Sequence, residues 1–528
     1  MEMPKSRTAG GLLRELAALR PAAEAVVAAE GRLSWTGLAA ESRACARGLH
    51  ALGVRQGDRV AILMGNRIEW LTAYFGAMTL GAGVVGANTW ATARELEYQL
   101  GHARASVVIA SARWRDRDFG ALLNEIERGP SLRAIVGVGE ALPPGWRPFE
   151  AMLAAGRDVA AAELAAAEAA VGPEDLACIL YTSGSTARPK GVPLRQGHLI
   201  ENSWQIGARQ RIGPDDRMWM AVSMFWSFAC ANGLLAAMTH GAAVVLQHDF
   251  EPGEALRLIE AERCSVMYAT PNMALALAQH PDRGKRDLSS LRTGATIGTP
   301  EQIKLIVDLG ARQICNVYGL TEAYGNSCVT DAEDPLEVRL SCSGRPLEGV
   351  TAKIIDPETR KPAPQGAVGE IGLKGRLMPG YLDDPVRTAE AFDDEGFLLT
   401  GDLGFLDPEG RIHFRGRLKE MVKTGGINVA PAEIEEVLST HPAVELAFVT
   451  GVPDAKLDEA IAAAIVLRPG ASATEEELIA HCRAALAAYK RPRRWRFIAA
   501  TELPLTTTGK LQRNRLFELF GEADRQKS

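Results

Sequence analysis

The chain has 528 residues, a formal net charge of −6 and 23% charged residues. It is long enough to bury more than one core, and its basic residues form no stripe of the kind that tracks a phosphate backbone, which excludes general nucleic-acid binding as an expectation. Eight cysteines, at positions 45, 178, 230, 264, 315, 328, 342 and 482, include no CxxC pair and no short metal-site or disulfide spacing, and read as small buried hydrophobes of a reducing compartment.

The N-terminal stretch MEMPKSRTAGGLLRELAALRP carries Glu15 inside its apolar part and lacks the continuous apolar core of a secretion signal, so a cytoplasmic location is expected. From about residue 55, short β-branched runs (DRVAILM, AGVVGAN, SVVIAS) alternate with helical ones (EWLTAYFGAMTLG, RELEYQLGHA). The alternation returns at GAAVVLQHD, GEALRLIEAERC, SVMYATP, EQIKLIVDLG and RQICNVYG, a pattern that predicts parallel α/β sheets. Two runs, 70–93 and 218–249, uncharged apart from His240 and the acidic end of the second, are long enough for a bilayer span. Their internal Gly, Ser, Thr and Asn residues favour a buried helix, a glycine turn and a buried strand instead. AAAELAAAEAAVG reads as a helix. Between 339 and 415 the texture changes to short Gly/Pro-punctuated strands, expected to form a β-rich subdomain. After GRIHFRGRLKE come a helix, two strands, a second helix and an Arg/Thr-rich tail, which suggest a separate α+β module. The expected domains are 1–417 and 418–528.

The stretch YTSGSTARPKG (181–191) is too rich in Gly, Ser and Thr for an element interior, and its free N–H groups and hydroxyls suit a phosphate chain. It is not the GxxxxGK[ST] loop. Pro189 and Gly191 stand where that loop needs its second Gly and its magnesium-binding hydroxyl.

Together with YGLTEAYG (318–325), TGDLG (400–404), GRLKE (416–420), KTGGINVAPAEIE (423–435) and TTTGK (506–510), this loop is identified as part of the motif set of the adenylate-forming superfamily. Acyl-CoA synthetases, adenylation domains and firefly-type luciferases belong to it. The likeness runs from GVRQGDRVAI at residue 53 to the final lysine motif, and six motifs in register are specific where one would be weak. It implies an α/β fold with a large N-terminal domain of parallel sheets, a β-rich subdomain and a small mobile α+β C-terminal domain. It also implies ATP, Mg²⁺ and coenzyme A as cofactors.

The chemistry needs such residues, because a carboxylate attacking the α-phosphorus of ATP brings two anions together. By resemblance, Thr182, Ser183, Gly184, Ser185, Thr186 and Lys190 hold the β and γ phosphates, and Gly294, Ala295, Thr296 and Asn316 line the adenine slot. Tyr318 stacks on adenine beside Gly319, Thr321 bonds the α-phosphate, and Glu322 holds magnesium. Asp402 takes the ribose hydroxyls and Arg417 is a second nucleotide contact. Lys510 bridges carboxylate and α-phosphate, so Lys510, Thr321 and Glu322 form the catalytic set. In the thioester step the C-terminal domain turns about a hinge at Lys419, and Gly425 and Gly426 line the coenzyme A channel. Ser185, Ala187 and Gln196 depart from the family's pattern at positions where Thr, Gly and His are frequent.

Relatives that activate α-amino acids place an aspartate where SMFWSFACANG has Trp226, so an amino-acid substrate is not expected. Phe225, Trp226, Ala229, Cys230, Gly233, Tyr324 and Asn326 are the candidate acid pocket, whose mainly apolar wall suits a fatty, alicyclic or aromatic acid. Taken singly, each of these residues has a plain structural alternative in core packing or turn capping. His198, His240 and His481 are read as structural, and the basic run Lys490, Arg491, Arg493, Arg494 and Arg496 as a solvated edge. The expected activity is an acid:CoA ligase. The alternatives are a stand-alone enzyme loading a separate carrier protein, since no carrier domain follows Lys510, and a nucleotide-binding regulator without catalysis. A homodimer is compatible with all three.

Overall fold

The computed structural model describes residues 2–182, 189–424, 427–454, 457–486, 488–505 and 511–521. The chain divides into two compact units, residues 1–351 with 373–398 and residues 352–372 with 399–528.

The first unit is built on two sheets. In the nine-stranded one, five strands lie mutually parallel in the order Gln313–Leu320, Thr293–Thr296, Val266–Tyr268, Arg217–Met220, Ala243–Leu246, followed by parallel Glu24–Ala28. Antiparallel strands close both edges. The seven-stranded sheet runs Lys190–Arg195, Leu176–Thr182, Gly83–Gly86, Arg59–Leu63, Val107–Ser111, Ala134–Val138, Arg147–Pro148, parallel except at its first pair. Helices cover the strands, which explains the almost continuous apolar runs: strands Gly83–Gly86, Val107–Ser111 and Ala243–Leu246 are buried along their whole length.

The helices start where the sequence supplies caps. Thr92 with Glu95 and Thr299 with Gln302 form capping boxes at Ala93–His102 and Pro300–Leu309, the second with proline in its first turn. The 70–93 run resolves into the helix Ile68–Thr79 and the strand Gly83–Gly86. The 218–249 run holds more than expected, with strand Arg217–Met220, a π-helical turn Phe228–Gly233, helix Leu234–Thr239 and strand Ala243–Leu246. No helix among the described residues is long and apolar enough to cross a membrane. All eight cysteines are reduced and buried, and burial pushes thiols such as Cys45 and Cys178 up to about 12.

The second unit carries a four-stranded sheet, Val350–Ile355, Gly369–Gly375, Leu398–Leu406, Ile412–Arg417, and a five-stranded one centred on Asp458–Leu467. Helices Pro431–Ser439 and Glu475–Ala485 pack with the latter around Ile434, Leu438, Ile461, Ile465 and Leu478. Compactness thus divides the β-rich stretch, with 352–372 and 399–415 grouped with the C-terminal residues and 339–351 and 373–398 in the first unit.

Candidate active site

The YGLTEAYG motif closes the hairpin between Gln313–Leu320 and Gly325–Val329, through the 3₁₀ turn Thr321–Ala323 and a left-handed Tyr324 at φ 61°. The pairing slips by one residue between Tyr318 and Gly319. At this bulge a Cβ on Gly319 would overlap the carbonyl oxygen of Gly325 on the opposite strand, so only glycine fits. Gly294, at φ 138°, likewise lies against the Met267 carbonyl oxygen. The side chains of Asn316 and Thr296 are spent on the fold: Asn316 Nδ2 donates to the Cys342 carbonyl at 2.9 Å and Thr296 Oγ1 to that of Ala269 at 3.0 Å. Tyr318 keeps 6% of its surface exposed, Thr321 Oγ1 lies 3.5 Å from Ser227 Oγ, and the buried Thr182 hydroxyl has no partner among the described residues. Ser183, Gly184, Ser185, Thr186 and Ala187 lie outside the described residues.

Two expected contacts are brought together by the fold. Lys190 begins the strand Lys190–Arg195, and its Nζ stands 3.9 Å from Oε1 of Glu322, which is 7% exposed. Between them lies a residue that the sequence reading missed. Tyr381 Oη donates to Glu322 Oε1 at 2.9 Å and accepts from Lys190 Nζ at 2.6 Å, and the ammonium also sits 4.0 Å from the centre of the tyrosine ring. Burial and the adjacent carboxylate push the Tyr381 hydroxyl well above its ordinary value, so it remains a donor. Its sequence context, MPGYLDDP, looks like an ordinary turn; the signal available was a single aromatic inside a Gly/Pro-rich stretch.

The candidate acid pocket starts at an aromatic group. Trp226 is half-buried, with ring centres 5.5 Å from Phe225 and 5.6 Å from Trp90; Trp90 lies 5.1 Å from Phe225. Trp90 is a second residue that the sequence reading missed. Ala229, Cys230 and Gly233 lie buried on the π-helical turn, a distortion frequent at functional sites. A Cβ on Gly233 would meet Met220 and Tyr268. Asn326 is buried with its Nδ2 unpartnered among the described residues. The Tyr324 side chain packs into the core instead: its ring meets His198 edge-on and its hydroxyl accepts from the Arg195 amide at 3.0 Å. Gln196 is buried and structural, accepting from the Ala9 amide at 2.8 Å and donating to the Met78 carbonyl at 2.9 Å.

In the second unit, strands Leu398–Leu406 and Ile412–Arg417 pair Asp402 with Arg417 directly, and Arg417 Nε lies 3.1 Å from Asp402 Oδ1. Asp402 is buried, while Arg417 is largely exposed. Thr400 Oγ1 donates to the Ile371 carbonyl and the Gly401 amide to Glu370, fixing the turn before Asp402. Lys419 follows on a 3₁₀ turn, Leu418–Glu420. Gly425, Gly426 and Lys510 lie outside the described residues. Within the basic run, Lys490 is held by Glu433 at 2.6 Å, and Arg491 and Arg496 bond backbone carbonyls. His481 bonds Thr440 and the Val437 carbonyl. His240 stacks on Trp204, and burial lowers it to about 4.

Magnesium keeps several waters and takes one or two carboxylates plus substrate phosphates, not a dedicated protein cage. The described residues fit that pattern. They contain no cluster of three metal-ligating side chains, and Oε2 of Glu322 makes no hydrogen bond among the described residues while Oε1 is held by Tyr381 and lies 3.9 Å from Lys190 Nζ.

The two-part fold and the motif-bearing hairpin define an adenylate-forming enzyme. The chain matches the family model of AMP-binding enzymes over residues 13–382 and that of the AMP-binding enzyme C-terminal domain over 433–510. It belongs to the AMP-binding enzyme family, in the acyl-CoA ligase branch. It is 36% identical to a Mycobacterium tuberculosis (strain H37Rv) propanoyl:CoA ligase whose acid bears a methyl-dioxo-octahydroindenyl ring system, over 97% of this chain and 99% of that protein. Among solved structures it resembles the anthranilate CoA ligase AuaEII in complex with anthranoyl-AMP (28% identity, TM-score 0.85, 97% of this chain and 96% of that one). It also resembles ATP-bound MatB from Rhodopseudomonas palustris (29%, TM-score 0.83, 97% and 99%).

Proposed function

We propose that this AMP-forming acid:CoA ligase, which uses ATP, Mg²⁺ and coenzyme A, activates a mainly apolar acid of the fatty, alicyclic or aromatic kind. The observation that carries this reading is the wall of Trp90, Phe225 and Trp226 leading to the uncharged π-helical turn Phe228–Gly233. Among the described residues of that wall and turn there is no carboxylate to pair with an ammonium group, while aromatic faces favour apolar or ring-bearing ligands. The ring-bearing acids of the M. tuberculosis ligase and the anthranilate ligase support it.

In the first half-reaction the acid's carboxylate attacks the α-phosphorus and pyrophosphate leaves. Lys190 and the 183–186 hydroxyls contact the departing phosphates, Thr321 the α-phosphate and Tyr318 with Gly319 the base; Asp402 and Arg417 position the ribose. Magnesium, held by Glu322, supplies charge neutralisation to the polyphosphate. Lys510 bridges carboxylate and α-phosphate as a cation, a placement whose loss costs about 100- to 1000-fold. The domain 418–528 then turns about Lys419 relative to 1–417, withdrawing Lys510 and bringing Gly425 and Gly426 beside the thiol's path. The enzyme acts in the cytoplasm, as a homodimer in this reading.

The test is to incubate the protein with ATP, magnesium, coenzyme A and a panel of acids, and to assay AMP and acyl-CoA by mass spectrometry. Apolar acids should give both. Adenylate without thioester would point to a carrier acceptor, and no AMP with any acid would overturn the reading. Lys510→Ala should abolish adenylation and spare thioester formation from a supplied acyl-adenylate. Equal loss of both steps would refute its role.

A further inference from the structure

We propose that Tyr381 is a positioning residue for magnesium–ATP, a hydroxyl wedge that holds the Lys190 ammonium and the Glu322 carboxylate apart so that neither neutralises the other. The inference rests on the reading of Lys190 as a phosphate contact and Glu322 as the magnesium ligand.

A tyrosine hydroxyl has one proton to give and two lone pairs. Here the proton goes to Glu322 Oε1 at 2.9 Å and a lone pair takes a Lys190 proton at 2.6 Å, leaving the two charged groups 3.9 Å apart. Opposite charges this close in a poorly solvated setting attract strongly, and with nothing between them they collapse into a direct pair. That pair would occupy the carboxylate that magnesium needs and the ammonium that the phosphates need.

The wedge is built in from three sides. The Met378 amide donates to the carbonyl of Glu322 itself at 2.8 Å, and the Leu382 amide to the carbonyl of Gly191, the residue after Lys190, at 2.9 Å. The Tyr381 amide donates to Thr388 Oγ1 at 2.9 Å. Residues 378–382 therefore lace the Thr321–Ala323 turn to the strand Lys190–Arg195, and the tyrosine side chain follows from that lacing. Gly191 permits the approach, since a Cβ there would press on Leu382 at 3.2 Å. The arrangement spends one oxygen of Glu322 and leaves Oε2 without a hydrogen bond among the described residues.

The experiment uses the full chain and Tyr381→Phe, which keeps the ring under the ammonium and removes only the hydroxyl. Binding of ATP, without acid, is titrated against magnesium with a fluorescent ATP analogue, and AMP binding is measured without metal. The variant should need about tenfold more magnesium for half-maximal ATP binding, the size of one lost hydrogen bond to a charged group. AMP binding, which involves neither group, should stay within about twofold. Unchanged magnesium dependence, or an equal loss of AMP and ATP binding, overturns the proposal. A cycle with Glu322→Gln separates the two readings. If the tyrosine acts through the carboxylate, Tyr381→Phe has no further effect on magnesium dependence in the Glu322→Gln background, and an additive effect refutes it. Glu322→Gln leaving magnesium dependence unchanged would sink the magnesium-ligand role of Glu322. A Glu322→Gln defect without a Tyr381→Phe defect would sink the wedge alone.

Discussion

Gly319→Ala tests whether the hairpin bulge sets the catalytic turn. A Cβ at this position overlaps the backbone oxygen of Gly325, which no rotamer change relieves. The strands must part by about 1 Å, breaking hydrogen bonding where Gly319 opposes Asn326. Overpacking of this kind costs about 1–3 kcal/mol, and each backbone group left buried without a partner costs about 1–3 kcal/mol more. With one such group, a loss of about 2–6 kcal/mol lowers the melting temperature by at least about 4 °C, using the slope for large domains. The turn bearing Thr321 and Glu322 begins two residues later, and a displacement of about 1 Å there lowers kcat/KM by about 100-fold. Calorimetry and a pyrophosphate-release assay read the two effects. Gly101→Ala is the control: this glycine sits on the helix Ala93–His102 with open space around its Cβ, so alanine should raise stability by up to about 1 kcal/mol. If Gly319→Ala melts with Gly101→Ala and keeps its kcat/KM, the reasoning from backbone contact is wrong.

His240 gives a pH test. Its folded value, about 4, lies below the ordinary 6.5 because it is buried. Below pH 6.5 the unfolded chain therefore takes up a proton that the folded one refuses until about pH 4, and stability falls as pH falls across this window, by about 3 kcal/mol in all. His240→Gln should flatten the melting temperature between pH 6.5 and 4, and parallel curves for variant and parent would refute a buried neutral imidazole. Trp226→Ala removes one face of the aromatic wall. It should shift preference among a panel of acids toward bulkier ones and change KM for the acid by about tenfold, on the scale of a few methylenes in an apolar pocket, with KM for ATP within about twofold. An unaltered acid profile would remove Trp226 from the pocket.

Part of the site was legible because its chemistry is local. The 318–325 motif occupies a strand, a turn and a returning strand, so the placement of Thr321 and Glu322 at a strand end follows from the string itself. The pairing of Asp402 with Arg417 is also near-local, across two adjacent antiparallel strands. Trp90 and Tyr381 were not legible in this way. A lone tryptophan after a strand and a tyrosine in a Gly/Pro turn have no periodicity, and their partners are far off in the chain. Tyr324 lies within the motif, but its buried ring against His198 and its bond from the Arg195 amide come from tertiary contacts that the motif does not spell out.

By itself, the order of residues determined the alternation of apolar strands and capped helices and the burial of the cysteines and of the two long apolar runs, because each depends largely on neighbours within a turn or a strand. Only the tertiary structure decided that residues 373–398 return to the first unit and insert Tyr381 between Lys190 and Glu322, 191 and 59 positions away. Strand order and the hydrogen bonds of residues 378–382 set that meeting, and neither is written in the chemistry of the residues that meet.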